Sequence, residues 1–403
     1  MHLGPHTSRP SAAPAVAGGP AFPEAELSTR MENARRAMAA SGLDGLIVSV
    51  PENIYYLTGL DHWGYFACHI LVVPRDGRLV LVARAMERIT VENQVTNAAF
   101  YGHADHEELS DHVVRALADL GLSSGRLGME MRSLFFTPHH AERIRMAMPR
   151  AQWSDASGLL DEIRLVKSPL EQDYTRKAAA AADAGTLAAI DAIRDGASDY
   201  EVAAECSRAM ILAGSEYPGF GPFVRPTRRL GEEHTTWRGD RFHDGDAVFL
   251  EVGAAYRKYQ APMGRLAYVG QAPKAAEDAA ALSVAGMQAI VDTIRPGATA
   301  GEVYAAWEQV ARDAGLVDYH RHHCGYLVGI GFPPSWTGGS TVTSLAPESP
   351  LKLQAGMVFH AHSWFTNTGR GDAFSYFISN TVMLTGDGCE VLTHRTPETL
   401  QVR

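Results

Sequence analysis

The stretch Ala247–Arg265, AVFLEVGAAYRKYQAPMGR, decides how this chain is read. It begins as a short apolar strand. Side chains alternate along a strand with period 2, so Phe249 and Glu251 share one face. A carboxylate inside such a run is unusual, because burying it without a partner costs several kcal/mol unless it is neutralised or hydrogen-bonded. Gly253 and the polar AAYRKY segment read as a hairpin turn, and Tyr259–Arg265 as the return strand. Pro262 lacks an N–H for the ladder and is expected at an edge, a bulge or a site.

Outward from this hairpin the second half of the chain repeats one pattern. In DEIRLVKSPLEQDYTRKAA, Ser168 reads as an N-cap, with Pro169 at the first helical position and Glu171 at the third. The helix continues over Ala178–Asp195, and Ser198 caps another, DYEVAAECSRAMILAG. Beyond the hairpin, helices are expected over Ala275–Ile294 and, after the PGAT turn, Ala300–Ala314. Toward the N terminus, Met31, Ala34, Met38 and Leu43 mark an amphipathic helix over Leu27–Gly42. GLIVSV follows as a buried strand, ENIYYLTGL as a turn and short strand, and HILVVPRDGRLVLVA as a hairpin about Arg-Asp-Gly. The pattern runs on through LGMEM and a helix after Pro138. The expected division is a disordered tail over 1–25, rich in Pro, Ala and Gly, an N-terminal domain over 26–158 and a C-terminal domain over 159–403.

A chain of 403 residues is long enough for two domains, and 46% hydrophobic residues suit a globular protein. The formal net charge of -10 offers no basic stripe for phosphates, which argues against nucleic-acid partners. No apolar run reaches the ~18 residues a membrane span needs, and the N terminus lacks a signal-peptide core. A cytoplasmic protein is expected. Cys68, Cys206, Cys324 and Cys389 form no CxxC pair and read as free thiols.

Three further stretches carry chemistry. His234 lies in GEEHTTW, upstream of Gly245 and Asp246 at the start of the Glu251 strand, and an imidazole exchanges protons near neutral pH. The run YHRHHCGYLVGIGFPPSW contains Tyr326. His320, His322 and His323, with nearby His243, tempt a zinc assignment, but the spacing is not that of a zinc finger, and solvated or hydrogen-bonded histidines are expected. In GMVFHAHSWF, His360 and His362 share one strand face, which leaves a single zinc with Glu251 open.

The helix-pair and hairpin layout, with the Arg164-x-x-Lys167-Ser168-x-x-Glu171 phrase, resembles the creatinase, aminopeptidase P and prolidase family. The resemblance implies an α/β (α+β) protein: a small N-terminal creatinase-like α/β domain and a C-terminal pita-bread domain with pseudo-twofold symmetry. Family metallopeptidases hold two metals on five ligands. The corresponding positions here are Glu251, Pro262, Tyr326, His362 and Ser379. One certain carboxylate does not offset two divalent cations, so no dinuclear centre, no cofactor and no metal-dependent aminopeptidase activity are expected.

Among metal-free members the chain is similar to the ectoine hydrolase group. The likeness rests on YYLTGLDHWGYFACH, His234-Thr-Thr-Trp237, the Glu251, Tyr259, Pro262 and Arg265 arrangement, GYLVGIGFPPSW, and Met357 to His360, and it spans about residues 30 to 395. Departures from that group are Gln260, the Tyr376-Phe-Ile-Ser-Asn strand and the polar segment 365–372. The resemblance implies hydrolysis of a non-peptide C–N bond in a cyclic amidine, guanidine or small amide. Glu251 would serve as nucleophile or base. His234 would act as acid and base, while Tyr326 and His360 would donate to the tetrahedral centre. Arg265 and Arg370 are expected at a substrate carboxylate. Tyr259 and His362 are expected to line the pocket, and Trp63 and Tyr65 to form a lid. A homodimer is implied, with the N-terminal domain of one subunit capping its partner's site over a small-molecule substrate. Competing readings are a non-hydrolytic tailoring enzyme, a metallopeptidase with altered ligands, and a catalytically dead binding protein.

Overall fold

The computed structural model describes residues 20–63, 65–339, 342–366, 368–369 and 374–403. Two compact units divide between Leu160 and Asp161.

The N-terminal unit carries α1 (Glu24–Ala40), β1 (Gly45–Val48), α2 (Pro51–Thr58), β2 (Ile70–Pro74), β3 (Leu79–Arg84), α3 (Arg88–Gln94), β4 (Ala98–His103), α4 (Leu109–Asp119), β5 (Arg126–Met129), α5 (Pro138–Ala147) and β6 (Gln152–Asp155). Its six strands run in the order β4-β3-β2-β1-β5-β6. Two expectations change here. Residues 20–25 are not tail: α1 begins at Glu24, and Phe22 is buried beneath the Arg30 guanidinium, 3.8 Å from its ring centre. ENIYYLTGL is helical, because Pro51 pre-sets the first helical position and Gly59 closes the end in the left-handed region. The buried Glu130 carboxylate anchors that helix, accepting from the Ser49 and Val50 N–H groups and from Asn53 Nδ2.

The C-terminal unit follows a short helix, α6 (Leu159–Ile163), that crosses the boundary. It contains α7 (Pro169–Ala192), α8 (Asp199–Leu212), β7 (Phe223–Pro226), β8 (Ala247–Tyr256), β9 (Tyr259–Tyr268), α9 (Lys274–Thr293), α10 (Ala300–Asp313), β10 (Gly325–Leu327), β11 (Val358–Phe365), β12 (Tyr376–Leu384), β13 (Cys389–Val391) and β14 (Gln401–Val402). The sheet runs β10-β11-β12-β9-β8-β7, with β13 on β12 and β14 on β9. Helices α7 and α8 cover the outer face of β8 and β9, where Val248, Leu250, Val252, Met263 and Ala267 are buried. Helices α9 and α10 cover β11 and β12 in the same way, with Trp307 stacked on Phe365.

The repeat is visible in backbone hydrogen bonds. Ser198 and Thr299 each cap a helix in a full capping box, with Glu201 and Glu302. Gly196 N–H donates to Phe242 O and Gly297 N–H to Leu353 O; Phe242 N–H donates to Ala197 O and Leu353 N–H to Ala298 O. The expected pita-bread domain with pseudo-twofold symmetry is therefore the observed fold.

The central hairpin is longer than expected. Strand β8 runs through Gly253 to Tyr256, and the turn is Arg257-Lys258, both at positive φ (49° and 64°). That geometry matches the right-handed twist of the flanking strands. Gly253 is needed for a close approach instead: a Cβ there would lie 2.7 Å from the Trp336 ring. Pro262 pairs with Gly253, and its carbonyl accepts from Thr381 Oγ1. The recorded β9–β12 pairing is confined to Gly264 and Ser379, so the proline sits where that ladder has opened.

Candidate active site

One register line crosses five strands. Phe223 pairs with Glu251, Glu251 with Gly264, Gly264 with Ser379, and Ser379 with His362. All five therefore face the inner side of the sheet, opposite the helices. Gly264 lets Phe377 and Ser379 approach the β9 backbone closely. A Cβ there would lie 2.4 Å from Phe377 and 2.7 Å from Ser379 Oγ. Phe249 stacks on Phe377, 4.4 Å between ring centres, and walls the next register line.

The far wall is a directed hydrogen-bond chain. Trp336 Nε1–H, a donor only, gives to Tyr326 OH at 2.8 Å. The Tyr326 proton is thereby aimed at His360 Nδ1, 3.0 Å away. An accepting Nδ1 puts the His360 proton on Nε2, which donates to Ser379 Oγ at 2.8 Å. His362 Nε2 lies 2.9 Å from the same Nδ1. His362 also stacks on Trp364, at 5.1 Å and 15°.

Burial sets the charges. The Glu251 carboxyl is 7% exposed, and desolvation pushes it up to about 8; Arg225 and Arg321 pull it down and Glu233 pushes it further up. At neutral pH the carboxyl is mostly protonated. His360 and His362 are held well below the ordinary imidazole value by burial and by neighbouring histidines, and are neutral. Burial, with Glu251 nearby, raises Tyr326 well above its usual value, so it remains a hydroxyl donor.

Glu251, Tyr326, His360 and His362 thus meet at one place. His234 is exposed at φ 52°, its ring against Phe220 and Phe223, the latter opposite Glu251 in the ladder. Trp63 and Tyr65 belong to the N-terminal unit; Trp63 is 53% exposed, whereas Tyr65 is buried against His62, His69 and Phe135. Arg370 lies outside the described residues.

Two expected pocket residues turn the other way. Arg265 and Tyr259 are odd-numbered on β9 and face the helices, opposite Gly264. Arg265 spends all five N–H groups on Pro397 O, Gly264 O, Ser379 O, Thr396 O and Asn380 Oδ1, leaving none for a substrate. Tyr259 OH donates to Glu171 Oε1 at 2.7 Å. His323 corrects in the opposite sense: grouped with solvated histidines in the sequence, it packs 5.4 Å from Tyr326 and 5.5 Å from His362. His320 does pair at the surface, with Glu308.

Arg225 and Arg321 were missed. Arg225 lies on β7 opposite Phe249, on the Glu251 face, with its guanidinium 4.2 Å from the Phe249 ring centre. Arg321 lies 4.8 Å over Trp364. For Arg225, alternation with Phe223 was the available signal.

The dinuclear metal set of this fold does not fit these residues. Pro262 has no donor atom to offer, the Ser379 hydroxyl is engaged by His360, and Tyr326 is engaged by Trp336 and His360. Glu251, His360 and His362 form a separate group whose ligand atoms lie within 4.8 Å of one another, a set that could hold one cation. The hydrogen bonds among Tyr326, His360, His362 and Ser379 also close the group without one.

Residues 173–386 match the metallopeptidase family M24, and residues 30–166 match the creatinase/prolidase N-terminal domain. The chain belongs to the M24 family. Over 391 residues it is 27% identical to an ectoine hydrolase of Halomonas elongata, covering 92% of this chain and 96% of that protein. It is 23% identical over 304 residues to an Xaa-Pro dipeptidase of Pyrococcus furiosus, covering 75% and 83% of the two. The solved Xaa-Pro dipeptidase from Bacillus anthracis superposes with a TM-score of 0.80 at 22% identity, over 94% of this chain and 100% of that one. The scaffold is that of a hydrolase family. Among the described residues, no helix is long and apolar enough to cross a membrane.

Proposed function

We propose that this protein hydrolyses a non-peptide C–N bond, in a cyclic amidine, guanidine or small amide, without a metal centre. The observation that carries this reading is the buried Glu251 carboxyl, facing neutral imidazoles and a tyrosine where a dinuclear site would need further carboxylates. The ectoine hydrolase of Halomonas elongata supports it from the sequence side.

An amidinium substrate supplies the missing charge. Brought against Glu251, it favours the ionised carboxylate and releases the proton that burial retains. The carboxylate then attacks the amidine carbon, or draws a proton from a water that does so. The C–N π pair moves onto nitrogen, His234 at the rim delivers a proton there, and the C–N bond breaks. Tyr326 and His360 steady the tetrahedral centre by turning to it the protons they otherwise give to His360 Nδ1 and Ser379 Oγ. After direct attack on an amidine, the lone pair of the remaining nitrogen re-forms C=N as the protonated amine leaves with the C–N pair, and water then cleaves the imidoyl group from Glu251 to give the amide.

A dimer in which the N-terminal unit of one subunit covers its partner's site completes the proposal. The exposed Trp63 and Phe66 support an apolar contact there, and light scattering on purified protein tests it. The central experiment is turnover of ectoine and creatine after dialysis against a chelator. Undiminished hydrolysis is expected. Activity restored only by added zinc or manganese would overturn metal independence and favour a single cation on Glu251, His360 and His362, the second reading that their proximity allows.

A further inference from the structure

We propose that Arg225 and Arg321 form a carboxylate subsite beside Glu251, so that the substrate is an anionic or zwitterionic C–N compound and not a neutral amide. This rests on the hydrolase reading above for its chemistry, but not for its binding test. The Arg225 side chain is only 3% exposed, yet its Nε–H has no hydrogen-bond partner among the described residues. The Arg321 Nε–H is likewise buried and unpartnered. Two orphaned guanidinium N–H groups in one pocket are costly unless a ligand takes them. The Nε edge of a guanidinium is the edge that matches the two oxygens of a carboxylate.

Both guanidinium groups rest on aromatic rings. Arg225 lies over Phe249 and Arg321 over Trp364, and those two rings meet edge-on at 5.9 Å. Phe249 and Trp364 lie on the inner face two residues along from Glu251 and His362, which sets both cations beside the same floor. The remaining contacts of Arg225 are long: Nη2 is 3.5 Å from Leu230 O and 3.5 Å from Glu233 Oε2, and Glu233 is 58% exposed. Glu233 thus holds the place of an acid that a substrate carboxylate would displace. A zwitterion fits the whole arrangement, with its carboxylate on the arginines and its cationic amidinium at Glu251.

The test is binding, followed by calorimetry and by the fluorescence of Trp364 beneath Arg321. Ectoine, creatine and N-acetylglycine are titrated beside the primary carboxamide of each, which lacks the carboxylate charge. The acids should bind about tenfold or more tightly than their amides. Arg321→Gln should erase that preference, and Arg321→Lys should restore part of it; Arg321 is the better target because the Arg225 side chain is the more deeply buried. Equal binding of acid and amide, or an unchanged preference in Arg321→Gln, would overturn the subsite. So would the absence of saturable binding by all three acids up to about 10 mM. Glu251-dependent hydrolysis of a neutral amide would then leave the hydrolase reading standing while this inference fell.

Discussion

In the first half of the C-terminal unit, Ser198 caps α8 and Gly196 hydrogen-bonds to Phe242; in the second, Thr299 caps α10 and Gly297 hydrogen-bonds to Leu353. The outer faces repeat, but the inner faces do not. The β8–β9 hairpin presents Glu251, Pro262 and Gly264, an acid beside bare backbone that Phe377 and Ser379 approach closely. The β11–β12 pair presents His360, His362 and Ser379, a crowded set of neutral donors and acceptors. Selection on the frame and selection on the floor are separable, because helix packing is fixed by one strand parity and chemistry by the other.

The largest expected effect falls on the acidic half. Glu251→Gln should lower turnover about a thousandfold or more in steady-state assays while the protein stays folded, since the carboxyl is already mostly neutral at pH 7. Unchanged turnover would remove Glu251 from the chemistry and leave the two floors functionally alike.

Gly264→Ala tests this close approach. Its Cβ collides with Phe377 and the Ser379 hydroxyl, and urea denaturation should show a loss of about 1–3 kcal/mol. Ser379→Ala on the opposite half removes only a hydrogen-bond partner of His360, with an expected cost of about 1–2 kcal/mol.

The halves should also oppose each other in pH. Glu251 has a raised folded value, so the native state holds a proton that the unfolded chain has lost, and its contribution declines as pH rises toward about 8. His360 and His362 are lowered, so their contribution is lost as pH falls below the ordinary imidazole range. Between neutrality and pH 8 the histidine effect is gone, and the Glu251 decline is opposed by Lys167, whose ammonium burial pushes down to about 7 so that its contribution grows as pH rises. The Glu251 share is a decline of about 1 kcal/mol, read as the difference between wild type and Glu251→Gln over that window. An equal change in both proteins would sink that assignment.

The smallest effects test the shared frame. Ser198→Ala and Thr299→Ala should each cost about 1 kcal/mol in thermal melts, and by equal amounts. A large inequality would show that the two helix pairs do not carry similar loads.

The frame was legible because caps and periodicity are local. Ser168, Ser198 and the PGAT turn mark helix starts in the string itself. The floor was legible in part, since alternation brings Glu251, His360 and His362 onto usable faces. The same rule, applied through the hairpin, would have turned Arg265 and Tyr259 away from Glu251; the misplaced turn at Gly253 obscured the pairing. ENIYYLTGL misled through its tyrosines and isoleucine, which favour strands, although Pro51 and Gly59 bracket a helix. Arg321 and His323 lie in a loop whose path no period describes; the tertiary contacts with Trp364 and Tyr326 place them.

The single register line from Phe223 to His362 makes the pocket sensitive to counting. One residue deleted from β9 ahead of Gly264 would turn Arg265 inward opposite Glu251 and send the glycine toward α7. The acid would then meet a fixed internal cation, and the cleft would be occupied by a salt bridge of the protein's own making. Such a deletion would preserve composition almost unchanged yet set an arginine where the glycine stood, so strand length on β9 guards this chemistry as closely as any side chain.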